Sequence, residues 1–501
     1  MVKKKRSFIS KLLSKRILLL IQLVISLLFL GYIYYLDMLP IKYYLIVVVL
    51  ILLIWLFIAR LINSGIKKKK QDKKYFLLIF SKILSIFISI SLCFVSIMAV
   101  KGNNFLDNIT GQIMQTRVIS MYVKKTSDYK RIKDIKGDLS KLKVGIATEK
   151  SKDSLTKAIE QMEDELDVSF KLKDYKEYSL LGDAIMDDDI EVIIADNAYI
   201  ALLEANHEGI DENLTSLYRI ELQEKVKAST IRTDVTKKPF MMYITGIDTY
   251  GTVSAISRAD VNLAVCVSPK QKQILIVSIP RDTQVNLHKN GKMDKITHSA
   301  MYGISETIAT IEDFLDVEIN YYAKTNFSGI TNIIDALGGV TIDSPYEFTT
   351  LHGNYHINKG LNEMDGDKAL CFVRERYALP SGDFDRGKNQ QRLLKAMINK
   401  AISPKIITNY SKILQAVEGC FETNMSADEI KAFIQMQIDD MAKWEMFNIQ
   451  LTGEGEMSYK TYSMKNKKCY TMVPDEDSLQ TIIKAIDIIE SGEKLTKSDL
   501  E

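Results

Sequence analysis

Three long runs without a charged residue open the chain, and after them the apolar positions come in short bursts between polar turns. Ile17 to Leu36 is uncharged, Tyr43 to Ala59 is a second such run and contains Trp55, and Ile83 to Val100 is a third. Runs of roughly 17 to 20 residues, rising about 1.5 Å per residue as helices, can cross a hydrocarbon core. A cleaved leader peptide would account for the first run only. The pattern predicts three membrane-spanning helices within residues 17–100.

Beyond them the periodicity shortens. KVGIA (Lys143 to Ala147) and EVIIA (Glu191 to Ala195) predict buried strands, with helices over Asp153 to Leu166 and Leu180 to Met186. This alternation predicts βαβ units in an accessory domain over 102–230, distantly similar to half of a periplasmic-binding-protein lobe. TIRTDVTKKPF (Thr230 to Phe240) is a polar linker. A second α/β succession then runs over 241–403, through MMYITGID, VNLAVCVSP, QILIVSIPRDT, TIATIEDFLDV and ALCFVRERY, which predicts a central sheet flanked by helices. Residues 404–501 form an extension with a helix over Asp428 to Lys443, a polar stretch at GEGEMSYK and a solvated or mobile acidic end.

Charge sets the orientation. Lys3, Lys4, Lys5, Arg6, Lys11, Lys15 and Arg16 precede the first span, and a basic loop at 65–74 carries Lys67 to Lys70, Lys73 and Lys74, whereas the link Asp37 to Lys42 holds one charge of each sign. Cationic segments stay on the cytoplasmic side, so the tail 1–16 is inside and everything after about Lys101 is outside the cell. A net charge of +3 gives no sign of a nucleic-acid binder. The five cysteines fit no zinc spacing. Cys266 and Cys371 read as buried thiols in apolar strands, while Cys420 and Cys469 could pair.

Charged residues gather at the ends of the predicted strands, where active groups of α/β folds collect. Asp248 follows MMYITGI, Arg258 and Asp260 precede VNLAVCV, and Arg281 and Asp282 follow ILIVSIP. With ALCFVRERY as a strand, Arg374 and Arg376 share one face and Glu375 points away. Guanidinium forks suit phosphate oxygens. His298 beside Ser299 reads as structural, and no nucleophile elbow, HExxH or P-loop is present.

TGIDTYG, SRADVNLAV, ILIVSIPRDT, DKITHSAMYG, GITNIIDALGGVTID, GLNEMDGDKALCFVRERY and GDFDRGKNQQ resemble, in order and spacing, the LytR-CpsA-Psr family of Gram-positive envelope proteins, over about Met241 to Ser403. Three spans followed by an accessory domain resemble the capsule-associated CpsA-type branch. The resemblance implies an α/β/α domain with a central mixed sheet and an apolar lipid tunnel. It also implies a phosphotransferase that moves a glycopolymer, here capsular polysaccharide, from undecaprenyl pyrophosphate to peptidoglycan, working at the cell membrane with capsule assembly proteins as expected partners. By position it places Mg2+ on Asp248 and Asp260. Pyrophosphate falls on Arg258, Arg281, Lys295, Arg374, Arg376, Arg386 and Gln390, and acceptor activation on Asp383 in the turn PSGDFDR. Many members carry Arg-X-X-Arg-Gln where this chain has Arg386, Gly387, Lys388, Asn389, Gln390. Two other functions would use the same arginines or the same anchor: a polyprenyl-pyrophosphate binding protein or phosphatase, and a membrane-anchored transcriptional regulator. The latter finds no room for a DNA-binding module in the short basic cytoplasmic segments.

Overall fold

The computed structural model describes residues 14–37, 39–70, 76–110, 114–205, 207, 209–210, 213–225, 231–247, 253–401, 419–464 and 467–500. The chain divides into two units, one of residues 1–108 with 426–443 and one of 109–425 with 444–501.

In the first unit, helices α1 (Lys15–Leu36), α2 (Ile41–Lys70) and α3 (Phe76–Ile109) follow the three uncharged runs. All three are long and apolar enough to cross a membrane. They meet through Leu18, Leu19, Ile58, Ile62 and Leu78. Ser85 donates to Gln22 Oε1 at 2.7 Å, and the Trp55 indole donates to the Leu19 carbonyl at 3.1 Å. Leu28, Leu53 and Phe87 on the outer faces are exposed, as lipid contact requires.

The second unit holds two sheets. The accessory sheet contains β1 (Met114–Lys124), β2 (Lys143–Ile146), β3 (Lys171–Asp174), β4 (Val192–Asp196) and β5 (Leu214–Lys225), in the order β3-β2-β4-β1-β5. The first three strands of that order run parallel, joined by α4 (Lys152–Leu166) and α5 (Tyr178–Met186), and β1 pairs antiparallel with both β4 and β5. The predicted βαβ units are therefore present.

The central sheet is built on β6 (Phe240–Ile247), β7 (Ala259–Ser268) and β8 (Gln273–Ser278), which form an antiparallel meander. Strand β11 (Tyr321–Asn326) joins β6 in parallel, after the small β9 (Gln284–Asn286) and β10 (Met293–Lys295) hairpin and helix α6 (Ile304–Leu315). On one face lies a core that includes Ile311, Leu315, Tyr322, Leu479, Ile482 and Ile486. On the other lie α7 (Phe327–Ala336), α8 (Gly366–Arg374) and α9 (Asp383–Ala401), whose core of Ile334, Phe372 and Leu393 is closed by the ribbon β12 (Val340–Ser344) with β13 (Gly360–Met364). The result is α/β/α around a mixed sheet.

Several expectations change. ALCFVR is helix α8, not a strand. The Asp365 side chain accepts the Lys368 amide as an N-cap, and buried Ala369, Leu370, Phe372 and Val373 fall at helical rather than alternating spacing. Asp383 opens α9 instead of lying in a turn. The sheet also continues past Ser403. Both its edges come from the extension: β14 (Phe421–Thr423) pairs with β11, and β15 (Glu445–Gln450) runs parallel to β8. Helix α10 (Ala427–Asp440), predicted as a helix, begins in a Ser426–Glu429 capping box and belongs to the first unit, where Lys42 pairs with Asp439 at 2.8 Å. GEGEMS is strand β16 (Gly453–Ser458), paired with β17 (Cys469–Pro474), and α11 (Glu476–Glu490) follows.

The acidic end is solvated over most of its length and is pinned at one residue. Leu495 is buried, its amide donating to Gln273 Oε1 at 2.9 Å and its carbonyl accepting from Gln273 Nε2 at 2.9 Å. All five cysteines are free thiols, and Cys420 and Cys469 do not pair. Cys469 Sγ lies 3.2 Å from the Thr461 hydroxyl, whereas Cys420 Sγ accepts from Asn332 at 3.5 Å. Cys371 sits in α8, not a strand.

Candidate active site

Because β7 and β8 are antiparallel neighbours, with Leu263 opposite Ser278, the start of one strand lies beside the end of the other. That register brings Arg281, just past β8, onto Asp260 at the start of β7, with Nη1 to Oδ1 at 2.7 Å. Burial opposes the charge on Asp260, but the guanidiniums of Arg281, Arg258, Arg386 and Arg374 hold its carboxyl below the usual range. Lys295, on β10, donates to Asp282 Oδ1 at 2.8 Å, and Asp282 Oδ2 lies 3.8 Å from Arg281 Nε. Asp282 thus sits between two cations, which outweigh its burial and keep it ionised.

The arginines of the misread segment converge on the same place by another route. Arg374 ends α8 with its guanidinium 4.2 Å from the centroid of the Phe327 ring, and Arg376, in the loop beyond, lies 4.5 Å from that of Tyr377. Arg386, in the first turns of α9, is buried and pairs with Asp383 at 2.6 Å. Burial pushes the Asp383 carboxyl up. Arg386 opposes the rise and the nearby Asp282 adds to it. Tyr470, on β17, lies near both carboxylates; burial, then Asp282 and Asp383, raise its phenol.

One cavity of about 2020 Å3, counting its open mouth, collects Arg258, Asp260, Arg281, Arg374, Arg376, Arg386 and Gln390. Behind these polar groups its walls are apolar. Met242, Ile244 and Leu263 line the sheet side, and Ile330, Ile333, Leu370, Val373, Leu393 and Met397 the helix side. Of the apolar segment at 330–340, Ile330 and Ile333 face the cavity, whereas Ile334 and Val340 are core. Lys295 and Asp383 are not among the lining residues: the first braces Asp282 and the second pairs with Arg386. Asp248 lies outside the described residues.

Asn389 is buried and accepts from Arg392 Nη1 at 2.8 Å, and Lys388 is directed to Asp385 at 3.9 Å. Neither Lys388 nor Asn389 is among the residues that line the cavity. His298 is structural, its ring nitrogen 2.7 Å from Asp294 Oδ1 in a buried pair. Two residues were missed from the sequence. Glu375 lines the cavity although a strand would have turned it away, and Tyr470 depends on a hairpin register that no local pattern reveals.

A family profile described as the LytR_cpsA_psr family matches residues 205–478. The chain belongs to the LytR-CpsA-Psr family. The relatives carry names of their own. The polyisoprenyl-teichoic acid–peptidoglycan teichoic acid transferase TagU of Bacillus cereus is 32% identical over 241 residues, covering 48% of this chain and 77% of that protein. TagU of Enterococcus faecalis is 32% identical over 236 residues, covering 46% and 77%. Among solved structures, TagV of B. subtilis shares 28% identity over 52% of this chain and 99% of its own, with a TM-score of 0.44. TagT bound to LIIa-WTA shares 26% over 52% and 94%, with a TM-score of 0.43. In this member of the LytR-CpsA-Psr family the matched residues take in the central sheet and its arginine-lined cavity, together with β5 of the accessory sheet and helix α10 of the first unit.

Proposed function

We propose that the protein is a phosphotransferase that attaches a glycopolymer, capsular polysaccharide, from a polyprenyl-pyrophosphate donor to peptidoglycan on the outer face of the cell membrane. The observation that carries this reading is that the guanidiniums of Arg258, Arg281, Arg374, Arg376 and Arg386 line one cavity whose remaining walls are largely apolar. A polyprenyl pyrophosphate has that division, a dense anionic head on a hydrocarbon tail. The guanidiniums offset head charge in a site of low polarity, and the walls take the tail. The names of the relatives, which specify teichoic acid, support polymer transfer to peptidoglycan, and capsule as the cargo rests on the resemblance of three spans with an accessory domain to the capsule-associated branch.

In the transfer an acceptor hydroxyl oxygen attacks the phosphorus that carries the sugar. A new P–O bond forms, the bond from that phosphorus to the bridging oxygen breaks, and polyprenyl phosphate leaves with the electron pair. Asp383 takes the hydroxyl proton. Arg258, Arg281, Arg374 and Arg376 hold the phosphoryl oxygens and the developing charge on the leaving phosphate.

Magnesium is the cofactor proposed. Asp260 lines the cavity among the phosphate-suited arginines, and a carboxylate oxygen there fits an ion that keeps waters and takes substrate phosphate oxygens. Asp260 would hold it together with Asp248, and it would supply charge neutralisation at the pyrophosphate.

The test follows radiolabelled lipid-linked polymer incubated with the full-length protein in detergent, with and without peptidoglycan. The expected outcome is label covalently joined to peptidoglycan and polyprenyl phosphate released only when both are present. Release of phosphate from the donor without an acceptor would favour the phosphatase reading instead. Asp260→Ala should lose most of the turnover that magnesium supports, and unchanged rates in chelator would remove the metal from the scheme.

A further inference from the structure

We propose that Glu375 is a positioning residue of the donor site, anchoring the cationic arm and the apolar lip of the cavity to each other; this rests on the donor reading above. Its side chain is 2% exposed. Oε2 accepts the Leu351 amide at 2.6 Å, while Oε1 accepts the amides of Arg376 and Ala378, each at 3.0 Å. These amides belong to two segments far apart in sequence. One is the turn that carries Leu351 and His352, and the other is the loop that leaves α8 and carries Arg376 and Tyr377. All four of those residues line the cavity.

The chemistry favours this arrangement over a chance burial. A carboxylate withdrawn from water is costly unless its lone pairs are filled, and amide N–H groups from both segments fill them. Burial works against the charge, yet the amides of Ala378, Leu351 and Arg376 hold the carboxyl below its usual range. Glu375 is also where the chain leaves the helix, at φ −66° and ψ 136°, and this extended exit turns the amides beyond it away from the last helical carbonyls. The hydrogen-bond partners of Glu375 are backbone amides, and the flanking guanidiniums of Arg374 and Arg376 face the cavity. Leu351 is 59% exposed, an apolar side chain kept at the rim by the carboxylate that sets the arginines. An amphiphile with a pyrophosphate head and an isoprenoid tail needs those two features in fixed register.

Glu375→Gln is nearly isosteric. It keeps one carbonyl oxygen for one set of amides and turns an NH2 toward the other, untying one segment. The experiment measures binding of geranylgeranyl pyrophosphate to full-length protein in detergent micelles for wild type, Glu375→Gln, Glu375→Asp, Arg376→Ala and the Glu375→Gln/Arg376→Ala pair, across salt concentrations, with thermal melts alongside. Glu375→Gln should weaken binding about 10-fold, the scale of one misplaced charge-assisted contact, and flatten its salt dependence. Glu375→Asp, which keeps both oxygens but draws them back, should lose less. The pair should be weaker than Arg376→Ala alone by less than about 3-fold, because the Arg376 guanidinium that Glu375 positions is already gone and only the hold on the Leu351 lip is left to lose.

Wild-type affinity in both Glu375 variants would overturn the assignment. So would losses that multiply in the pair, or a lower melting temperature with an unchanged salt slope, which marks a purely structural carboxylate. Should the wild type not bind the probe, or Arg376→Ala bind it as well as wild type does, the donor reading falls and the role of Glu375 falls with it.

Discussion

Asp383 is the residue where environment and proposed role can be tested together. Burial raises its carboxyl, Asp282 adds to the rise, and Arg386 at 2.6 Å limits it. A base must be ionised to accept a proton, so transfer should slow on acidification while the pH is still above the ordinary carboxylate value of about 3.9. The sign for stability is the reverse. With the folded value above the unfolded one, the native state holds the proton more tightly, and Asp383 makes its favourable contribution at low pH and loses it as pH rises through the raised value. Asp383→Ala should therefore cost about 10²- to 10⁴-fold in single-turnover rate, remove the acid limb and leave donor affinity nearly intact. A variant that binds donor poorly or transfers at the wild-type rate would make the carboxylate a structural partner of Arg386. The arginines were legible in the sequence because charge at a strand end or inside an apolar segment needs an anionic partner. The pairing of Lys295 with Asp282 was not, since it depends on the β9–β10 hairpin lying against the loop after β8.

At the level of elements, α8 shows how Arg374 and Arg376, expected together from the sequence, line one cavity although the local structure was read wrongly. A short apolar run bounded by turn residues does not distinguish strand from helix by composition, and ALCFVRERY is such a run. The distinguishing signal was Asp365 ahead of Gly366, a cap with its bonded amide three residues on. Gly366 has a second task. Its amide donates to Asp335 Oδ1 at 2.7 Å, and a Cβ placed there would lie 2.4 Å from the Thr331 carbonyl oxygen of α7. The obstruction is backbone, so Gly366→Ala must push α8 from α7. The cost should be about 1 to 3 kcal/mol, as for other overpacked contacts, read as a lowered denaturant midpoint. Because α8 ends at Arg374, donor binding should weaken as well. A variant as stable as wild type would mean that the two helices are not held at this spacing.

For the whole molecule, the three spans were legible because nothing else explains apolar runs of that length, and the lysine bias gives an orientation to test. A protease site inserted after Gly102 should be cut in intact cells and one at Lys70 should not. The extent of the central sheet was not legible. Its edge strands β14 and β15 are short, they lie beyond the Ser403 bound read from the sequence, and β15 pairs with β8 from more than a hundred residues away in sequence. Without its extension the sheet has two open edges and half its cover missing. Helix α11 contributes Leu479, Ile482, Ala485, Ile486 and Ile489 to the same core as Ile311 and Leu315. Removing one buried Leu or Ile side chain costs roughly 2 to 5 kcal/mol, and a domain has only about 5 to 15 kcal/mol in total. A chain stopped after Ser403 should therefore fail to fold its second unit, giving no cooperative melt and rapid proteolysis at β6 to β8. A stop after Glu490 removes Leu495 and its two bonds to Gln273 but leaves α11 in place, so it should lower the melting temperature and keep the transition cooperative. If the chain ending at Ser403 melted cooperatively near the full-length temperature, the extension would be an addition to a complete sheet domain rather than part of its core.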